Sequence, residues 1–486
     1  MIDALFLIAL PLAGAIVLLL APVGRELAGY LATVVALATF GGMIGLVYRF
    51  VPDGGFQFER DWAWLPDLGI RFHIGVDGLS LAMMVVASLV VACAIAYGAW
   101  EGGERNRSYF ALLLVLDAAL LLLFCARDLI LFYVGFEAML IPFYLLLGVW
   151  GGADRVRATI KFILYTVIGT LLMLIGMITL SLGHQGGPTF DIATLHSSSN
   201  WLFLAFAVAF AIKSPLWPFH GWVPDAYRQA PPEVAAILSG VASKAGAYGF
   251  LRIVVPIFPS PAADWRWAVI ACATVGLLYG SLLAFRQPDA RGIVAYSSLA
   301  QMGLVILGIF LFSARGSTGA TFQMVNHALL SAALFLVAGW VAHQTGSGVL
   351  SRLGGLARGR PVLSSLVLLI GMGSLAVPGS NTFASEFLIL LGAFETRWWL
   401  GAITSFAIVL AAMYMLRWIS AVLHERAREA SETAPPGDIA SGGLWAVVPL
   451  VLASVVLSIY PFGLTHRVDP STSSITKAAA QKVVGR

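Results

Sequence analysis

The stretch AIKSPLWPFHGWVPDAYRQAPPEVAAILSGVASKAGAYGFLR, residues 211–252, decides how the chain is read. An apolar segment from Trp201 reaches Lys213; Pro215, Pro218, Pro224 and Pro231 then interrupt it, with Trp217, His220 and Asp225 among them. Proline removes a helical donor and clashes with the preceding turn, so this segment is not one unbroken helix. A second apolar segment, Val234 to Val255, carries Lys244 near its middle. Irregular backbone at membrane depth is tolerated only where protein or a water-filled cavity surrounds it. A lysine at the bilayer centre costs at least about 2.5 kcal/mol on the insertion scale. Two lysines beside a broken helix point to a polar pathway for ions through a helical bundle.

The rest of the chain supplies that bundle. Of 486 residues, 59% are hydrophobic and 11% charged, too apolar to cover a soluble domain, so the expected class is an all-α polytopic membrane protein. The net charge of +4 is spread through loops, with no basic run suited to nucleic acid. Cys93, Cys125 and Cys272 lie inside apolar segments without CxxC spacing, which leaves haem and iron–sulfur ligation unsupported. Asp3 precedes an apolar stretch to Ala21 that lacks a small-residue cleavage site, so it reads as a first helix rather than a signal peptide.

Windows of roughly 20 apolar residues predict about 14 transmembrane helices. They fall at 3–21, 28–49, 77–100, 109–126, 128–150, 159–182, 201–228 (broken), 233–256, 267–286, 291–312, 319–342, 361–395 (broken), 398–423 and 443–463. No strands are expected. The longest polar connections, 51–76, 183–200 and 424–442, are each below the ~50 residues of a small domain. The charged run HERAREASETAPPGD (424–438) reads as a solvated loop. Lysine and arginine are in excess in the loops with Arg105, Arg107, Arg155, Arg157, Arg358 and Arg360, which places those loops in the cytoplasm and both termini outside.

Helices 4–8 and 9–13 form two five-helix blocks, and the fourth helix of each is interrupted by proline. The first break begins at Ser214-Pro215 and the second is AVPGSNTFASEF, 376–387, containing Glu386. An odd number of helices per block turns the second against the first, giving two inverted repeats whose broken helices meet near the midplane. The expected division is 1–108 (helices 1–3), 109–256 (first repeat), 267–424 (second repeat) and 443–486 (last helix and tail).

Lys213 closes a half-helix, whose carbonyl end favours a cation; Glu386 is expected in the first turn after the second break, where free N–H groups favour an anion. Glu137, in ILFYVGFEAMLIPFYL, lies about nine residues into an apolar helix, some 13 Å deep at 1.5 Å per residue. A Glu137–Lys213 pair would have a proton affinity that depends on whether the pair is closed. The plain alternative is a static interhelical salt bridge. Four midmembrane charges (Glu137, Lys213, Lys244 and Glu386), two beside broken helices, argue against it. His327, in QMVNHALLSAALF, is either a proton relay or a packing histidine, and His220 in the broken segment has a possible connecting role. No HxxxH or HxxE spacing argues for a metal, and pairs such as Gly41-Gly42 suit close helix packing better than phosphate binding.

The sequence resembles the antiporter-like subunits in the membrane arm of respiratory complex I. The resemblance rests on KSPLWPFHGWVPDAY with APPEVAAILSGVASKAGAYGFLR, on VGFEAMLIPFYLLLGVWGG, AYSSLAQMG and NHALLSAALF, and on the second break. Within that family, Glu386 in place of the lysine of related members, the segment HIGVDGLSLAMMV, and a length without room for a long lateral helix resemble the chain M, or subunit 4, type. The resemblance implies a proton-translocating subunit of NADH:quinone oxidoreductase, with protons entering through the second half-channel and leaving through the first. It assigns Glu137 and Lys213 to a switching ion pair, Lys244 to the central axis, His327 to a relay and Glu386 to the terminal site. One departure is Gln301, where AYSSxxHMG carries histidine; an amide does not accept and release a proton near pH 7.

The same resemblance implies partners and place: other membrane-arm subunits, including neighbouring antiporter-like ones, within a bacterial-type cell inner membrane. NADH, FMN, iron–sulfur clusters and quinone are expected in partner subunits, with no cofactor, metal or redox chemistry in this chain. Two rivals stay open. One is a subunit of a multi-subunit sodium/proton antiporter, which shares the fold; the other is a structural membrane subunit that conducts nothing.

Overall fold

The computed structural model describes residues 3–53, 55–426, 438 and 442–484. Its first helices are α1 (Ala4–Leu20), α2 (Arg25–Arg49), α3 (Gly78–Glu101), α4 (Arg107–Cys125), α5 (Leu129–Trp150) and α6 (Arg155–Leu182). The broken segment gives α7 (Asn200–Lys213) and α8 (Val223–Gln229), followed by α9 (Pro232–Ile257), α10 (Pro259–Asp264), α11 (Arg266–Arg286), α12 (Ala290–Phe310) and α13 (Ala314–Thr345). The second break separates α14 (Pro361–Ser374) from α15 (Asn381–Thr396); α16 (Trp398–His424), α17 (Val448–Ile459) and α18 (Phe462–Val484) complete the chain. Among the described residues, ten helices are long and apolar enough to cross a membrane, and the pair Gly443–Ile459 with Phe462–Val483 gives at most an eleventh. Ala4–Leu20, Asn200–Lys213 and Pro361–Ser374 are apolar but shorter.

Both interruptions lie where proline requires them. After α7 the chain turns through Pro215 and Pro218 before α8, and after α14 it passes Ala376, Pro378 and Gly379 in a tight loop. Gly379 has φ 95°, a left-handed conformation that a side chain would strain. The loose end at the first break is tied by the Trp222 indole, which donates to the Ile212 carbonyl at 3.0 Å. Helices α3, α9, α12 and α13 form the interior, buried along almost their whole length, while α2, α6 and α11 expose much of theirs. Helix α9 presses on the first break through Gly246, where a Cβ would collide with the Ser214 hydroxyl and come within 2.5 Å of the Phe210 carbonyl. Small residues at such contacts let membrane helices approach closely.

Two parts of the chain differ from the sequence reading. The connection 51–76 contains strands: β1 (Gln57–Leu65) and β2 (Ile70–Val76) pair as an antiparallel hairpin. The turn Pro66–Leu68 ends on Gly69 at φ 69°, and a bend of this kind with period-two side chains is invisible to a search for long apolar windows. The hairpin is fixed to the helices by Arg127 N–H donating to the His73 carbonyl at 2.9 Å and by Arg71 N–H donating to Asp128 Oδ2 at 3.1 Å. Across its strands the Arg71 guanidinium pairs with Asp61 at 2.7 Å, holding that exposed carboxyl below its ordinary range.

The second difference is the tail, which is helical. Helix α18 turns by 79° from α17 and lies across the ends of α3, α9, α10 and α13. Its buried stripe, Val468, Ser471, Thr472, Ile475, Thr476 and Ala479, has helical spacing but little hydrophobicity, so hydropathy alone passes over it. The Ser471 hydroxyl accepts from Gly78 N–H at 3.1 Å, and Thr318 donates to Asp469 at 2.7 Å. The expected loop 424–438 lies outside the described residues except for its two ends. Of these, Asp438 caps α14, accepting from the Val362 and Leu363 amides at 2.6 and 3.2 Å.

Gly246→Val is therefore expected to destabilise the protein by about 1–3 kcal/mol through overpacking, whereas Gly41→Val, at a position with open space around it, leaves stability nearly unchanged. Thermal denaturation of the detergent-solubilised proteins distinguishes the two; equal midpoints would contradict the close-packing account.

Candidate functional site

The site is built around a widened stretch of α9. Ser243 N–H donates to the carbonyl of Leu238, five residues back, at 3.1 Å. Such π-type turns interrupt the usual ladder and are common at functional positions. Here the wide turn releases the Ser239 carbonyl, which accepts from the Ser243 hydroxyl at 2.8 Å and from Lys244 Nζ at 2.6 Å. Lys244 Nζ also lies 2.6 Å from Nδ1 of His327 on α13, and both residues are buried. An ammonium only donates, so with Lys244 charged Nδ1 is the acceptor and the neutral ring carries its proton on Nε2. The Ser239 hydroxyl extends this centre to Ser298 on α12 at 2.9 Å and Ser331 on α13 at 2.7 Å.

Glu386 is buried on α15, but not in its first turn. The helix begins at Asn381 after Ser380, whose hydroxyl accepts from Phe383 N–H at 3.2 Å, so Glu386 is its sixth residue. At that position no free backbone donor is left for it, because helix-end effects fade within the first turn. Side-chain amides do the work instead: Gln301 and Gln323 donate to Glu386 Oε1 at 3.1 and 3.2 Å. Gln323 also donates to Gln301 Oε1 at 2.7 Å and accepts from the Ser385 hydroxyl at 2.5 Å. Asn326 completes the cluster, donating to Ser385 at 2.9 Å and to the Asn381 carbonyl at 2.8 Å.

A cavity of about 20 Å³, measured for the centre of a water-sized sphere, separates His327 from Glu386. That is room for about one water. Both residues line it, together with Ser297, Ser331, Gln301 and Tyr414. The second half of the site therefore runs Lys244, His327, cavity, Glu386, with direct contact at its first step.

The first half is looser. Lys213 is buried at the end of α7 with Nζ 5.0 Å from the centre of the Phe136 ring. Glu137, next to Phe136 on α5, is half-buried, and the expected Glu137–Lys213 ion pair is not formed. The aromatic face, which attracts a cation, occupies the ammonium in its place. Lys213 Nζ, Glu137 Oε1, Ser214 Oγ and His220 Nδ1 are each buried without a protein hydrogen-bond partner. His220 packs on Tyr279, ring centres 5.2 Å apart, and does not reach Lys213 or Lys244 by any hydrogen bond.

Several residues of this interior escaped the sequence reading. Gln323, Asn326 and Ser385 are neutral, and neutral amides and hydroxyls in membrane helices carry no strong signal. Asp117 does carry one, since it is the sole charge in the middle of α4; it is fully buried with neither carboxylate oxygen bonded to protein. Glu233, at the start of α9, is also fully buried, ion-paired with Arg105 and accepting from the Tyr109 hydroxyl at 2.5 Å. His343, near the end of α13, meets Glu101 at 2.9 Å. Among the described residues no group of three His, Cys, Asp or Glu side chains is placed to hold a metal.

The sequence and the fold are similar to those of known membrane proteins. Residues 126–411 match the family model described as NADH:quinone oxidoreductase/Mrp antiporter, transmembrane. The chain is 34% identical, over 97% of its length and 93% of theirs, to NADH-quinone oxidoreductase subunit M of Mycobacterium tuberculosis. It is 35% identical to the protein of the same name from Rhodobacter capsulatus, over 96% of this chain and 95% of that one. Among solved structures it superposes on a chain of respiratory complex I from Thermus thermophilus with a TM-score of 0.89 at 30% identity, covering 98% of this chain and 99% of that one. A chain of the Mrp complex from a Dietzia species gives a TM-score of 0.84 at 22% identity, covering 98% of this chain and 52% of that one, a likeness of fold.

The amide cluster makes a coupled test possible. Gln323→Leu and Ser385→Ala are each expected to lower stability by about 1–3 kcal/mol, since each orphans a buried partner. The double variant should lose less than the sum, because the two side chains bond each other. Additive losses in denaturation midpoints would show that the cluster does not act as a unit.

Proposed function

The chain belongs to the NADH:quinone oxidoreductase/Mrp antiporter family of membrane subunits, and on that premise we propose that it is a proton-translocating subunit of an NADH:quinone oxidoreductase complex. The observation that carries the reading is the line from Lys244 to His327 by direct contact and from His327 to Glu386 across a shared cavity. Buried ionisable groups are expensive in a membrane and mark ion pathways. With Lys244 neutral and the ring carrying its proton on Nδ1, a proton arriving from Glu386 through water binds Nε2 of His327 and the Nδ1 proton passes to Lys244 Nζ, so the ring returns to one proton. Gln301 does not titrate, and its part is to orient the Glu386 carboxylate together with Gln323.

In this reading α7 with α8, and α14 with α15, each serve as one broken span, which brings the count to about 14 spans in two inverted repeats, 109–256 and 267–424, between 1–108 and 443–486. Lys213 and Glu137 form the switching pair of the first half-channel, opened in the present arrangement and closed during turnover. The unpartnered buried atoms around them support a wet passage, because buried polar groups are normally satisfied by protein or water. His220 has a connecting role at its edge. The complex resides in a bacterial-type inner membrane with both termini of this chain outside, and NADH, FMN, iron–sulfur clusters and quinone are held by partner subunits. The sodium/proton antiporter reading has less support, since the match to the Mrp chain is of fold and spans about half of that chain.

Glu137→Ala and Lys213→Ala are expected to abolish most coupled proton pumping while the full complex still assembles on native gels. Each change strands an opposite charge in low dielectric and removes the switch. Wild-type proton transport per electron in both variants would overturn the ion-pair role.

A further inference from the structure

Between α2, α3, α13 and α17 the fold leaves an apolar groove of about 520 Å³. Ile44, Ala82, Val86, Leu329, Ala453 and Val456 are among its walls. Along α3 it runs from Gly78 to Leu89, some 17 Å at about 1.5 Å per residue. That is close to half of a hydrocarbon core about 30 Å thick, the depth of one leaflet.

One end of the groove is different. Arg467 of α18 is the single charged side chain lining it, and Tyr48 and Tyr460 line the same end with 85% and 59% of their surfaces exposed. Tyrosines of this kind sit at the membrane–water boundary. Among the described residues no carboxylate lies within 4 Å of the Arg467 guanidinium. Asp469, two residues on, is taken by Thr318 at 2.7 Å. Nη1 donates to the Gly463 carbonyl at 2.6 Å, and Nε is buried without a protein partner. A guanidinium has five N–H donors in a plane that fits phosphate oxygens in pairs.

A cation without a protein counter-charge at the boundary end of a one-leaflet apolar groove matches one kind of molecule. We propose that the groove holds an anionic phospholipid, its phosphate on Arg467 and an acyl chain laid along α3 between α2 and α17. The lipid would brace α18 against α13, since Leu329, two residues beyond His327, is part of the wall. This site is independent of the proton route argued above.

The test is native mass spectrometry of the purified complex, delipidated and then titrated with dioleoylphosphatidylglycerol or dioleoylphosphatidylcholine. The wild type should retain one more phosphatidylglycerol than either Arg467→Gln or Ala453→Trp, with Arg467→Lys close to wild type and no such difference for phosphatidylcholine. Millimolar inorganic phosphate should not displace the lipid. Ala453→Trp fills the groove without touching the Arg467–Gly463 contact, so it stands if Arg467→Gln fails to fold. Equal phosphatidylglycerol counts in the wild type and the folded variants would overturn the proposal, as would displacement by free phosphate. Cross-linking of an Ala453→Cys variant to a neighbouring subunit would also overturn it, by showing that a protein helix fills the groove.

Discussion

A lysine ammonium and an imidazole 2.6 Å apart, inside helices that are buried along almost their whole length, set the terms for the rest of this molecule. Neither group belongs in hydrocarbon, and each needs a partner that is itself satisfied. The wide turn in α9 supplies one, by turning the Ser239 carbonyl away from the helical ladder and toward Lys244. Serines from three helices, Ser239, Ser298 and Ser331, then tie α9, α12 and α13 together around the same point. The close approach at Gly246 has a related purpose, because it sets the first break directly against the helix that carries Lys244.

The two halves meeting at this centre are unlike. Toward Glu386 the polar groups are joined by direct hydrogen bonds and a cavity of about 20 Å³, and the amides of Gln301 and Gln323 fix the carboxylate. Toward Glu137 the polar atoms are buried but unpaired, and Lys213 rests on an aromatic face. A cation resting on the Phe136 ring without a protein hydrogen bond has few bonds to break when it moves, whereas Glu386 has a network to leave. The lysine of the first half is thus the easier one to swing, which suits a switch, and the carboxylate of the second suits a fixed terminal station.

Much of this was readable in the residues. Proline marks both breaks because its missing N–H and its ring disfavour a continuous helix, although Pro11 in α1 and Pro470 in α18 are accommodated; Glu137, Lys213, Lys244 and Glu386 stand out because charges are rare in apolar helices. What bonds those charges was not readable. Gln323 and Ser385 hold Glu386 from positions that only the packing of α13 on α15 brings together, and the position of Glu386 in its helix depended on where α15 begins. Asp117 gave the same signal as Glu137 and was passed over, since it stands next to no break and in none of the motifs. The hairpin and α18 escaped for a different reason. Their periodicities, two residues and a stripe of small hydroxyl side chains, carry little hydrophobicity, and both elements are held by hydrogen bonds to the helices beneath them.

The central claim is that Lys244 gives up and regains its proton during turnover, and a comparison of Lys244→Arg with Lys244→Ala reaches it most directly. Arginine keeps the positive charge and practically never deprotonates, while alanine removes the group altogether. Proton uptake per electron and assembly, measured for both variants in the same membranes, separate a relay from a structural charge. The account predicts that Lys244→Arg assembles normally and pumps as poorly as Lys244→Ala. Pumping restored by arginine, with assembly lost in the alanine variant, would contradict it.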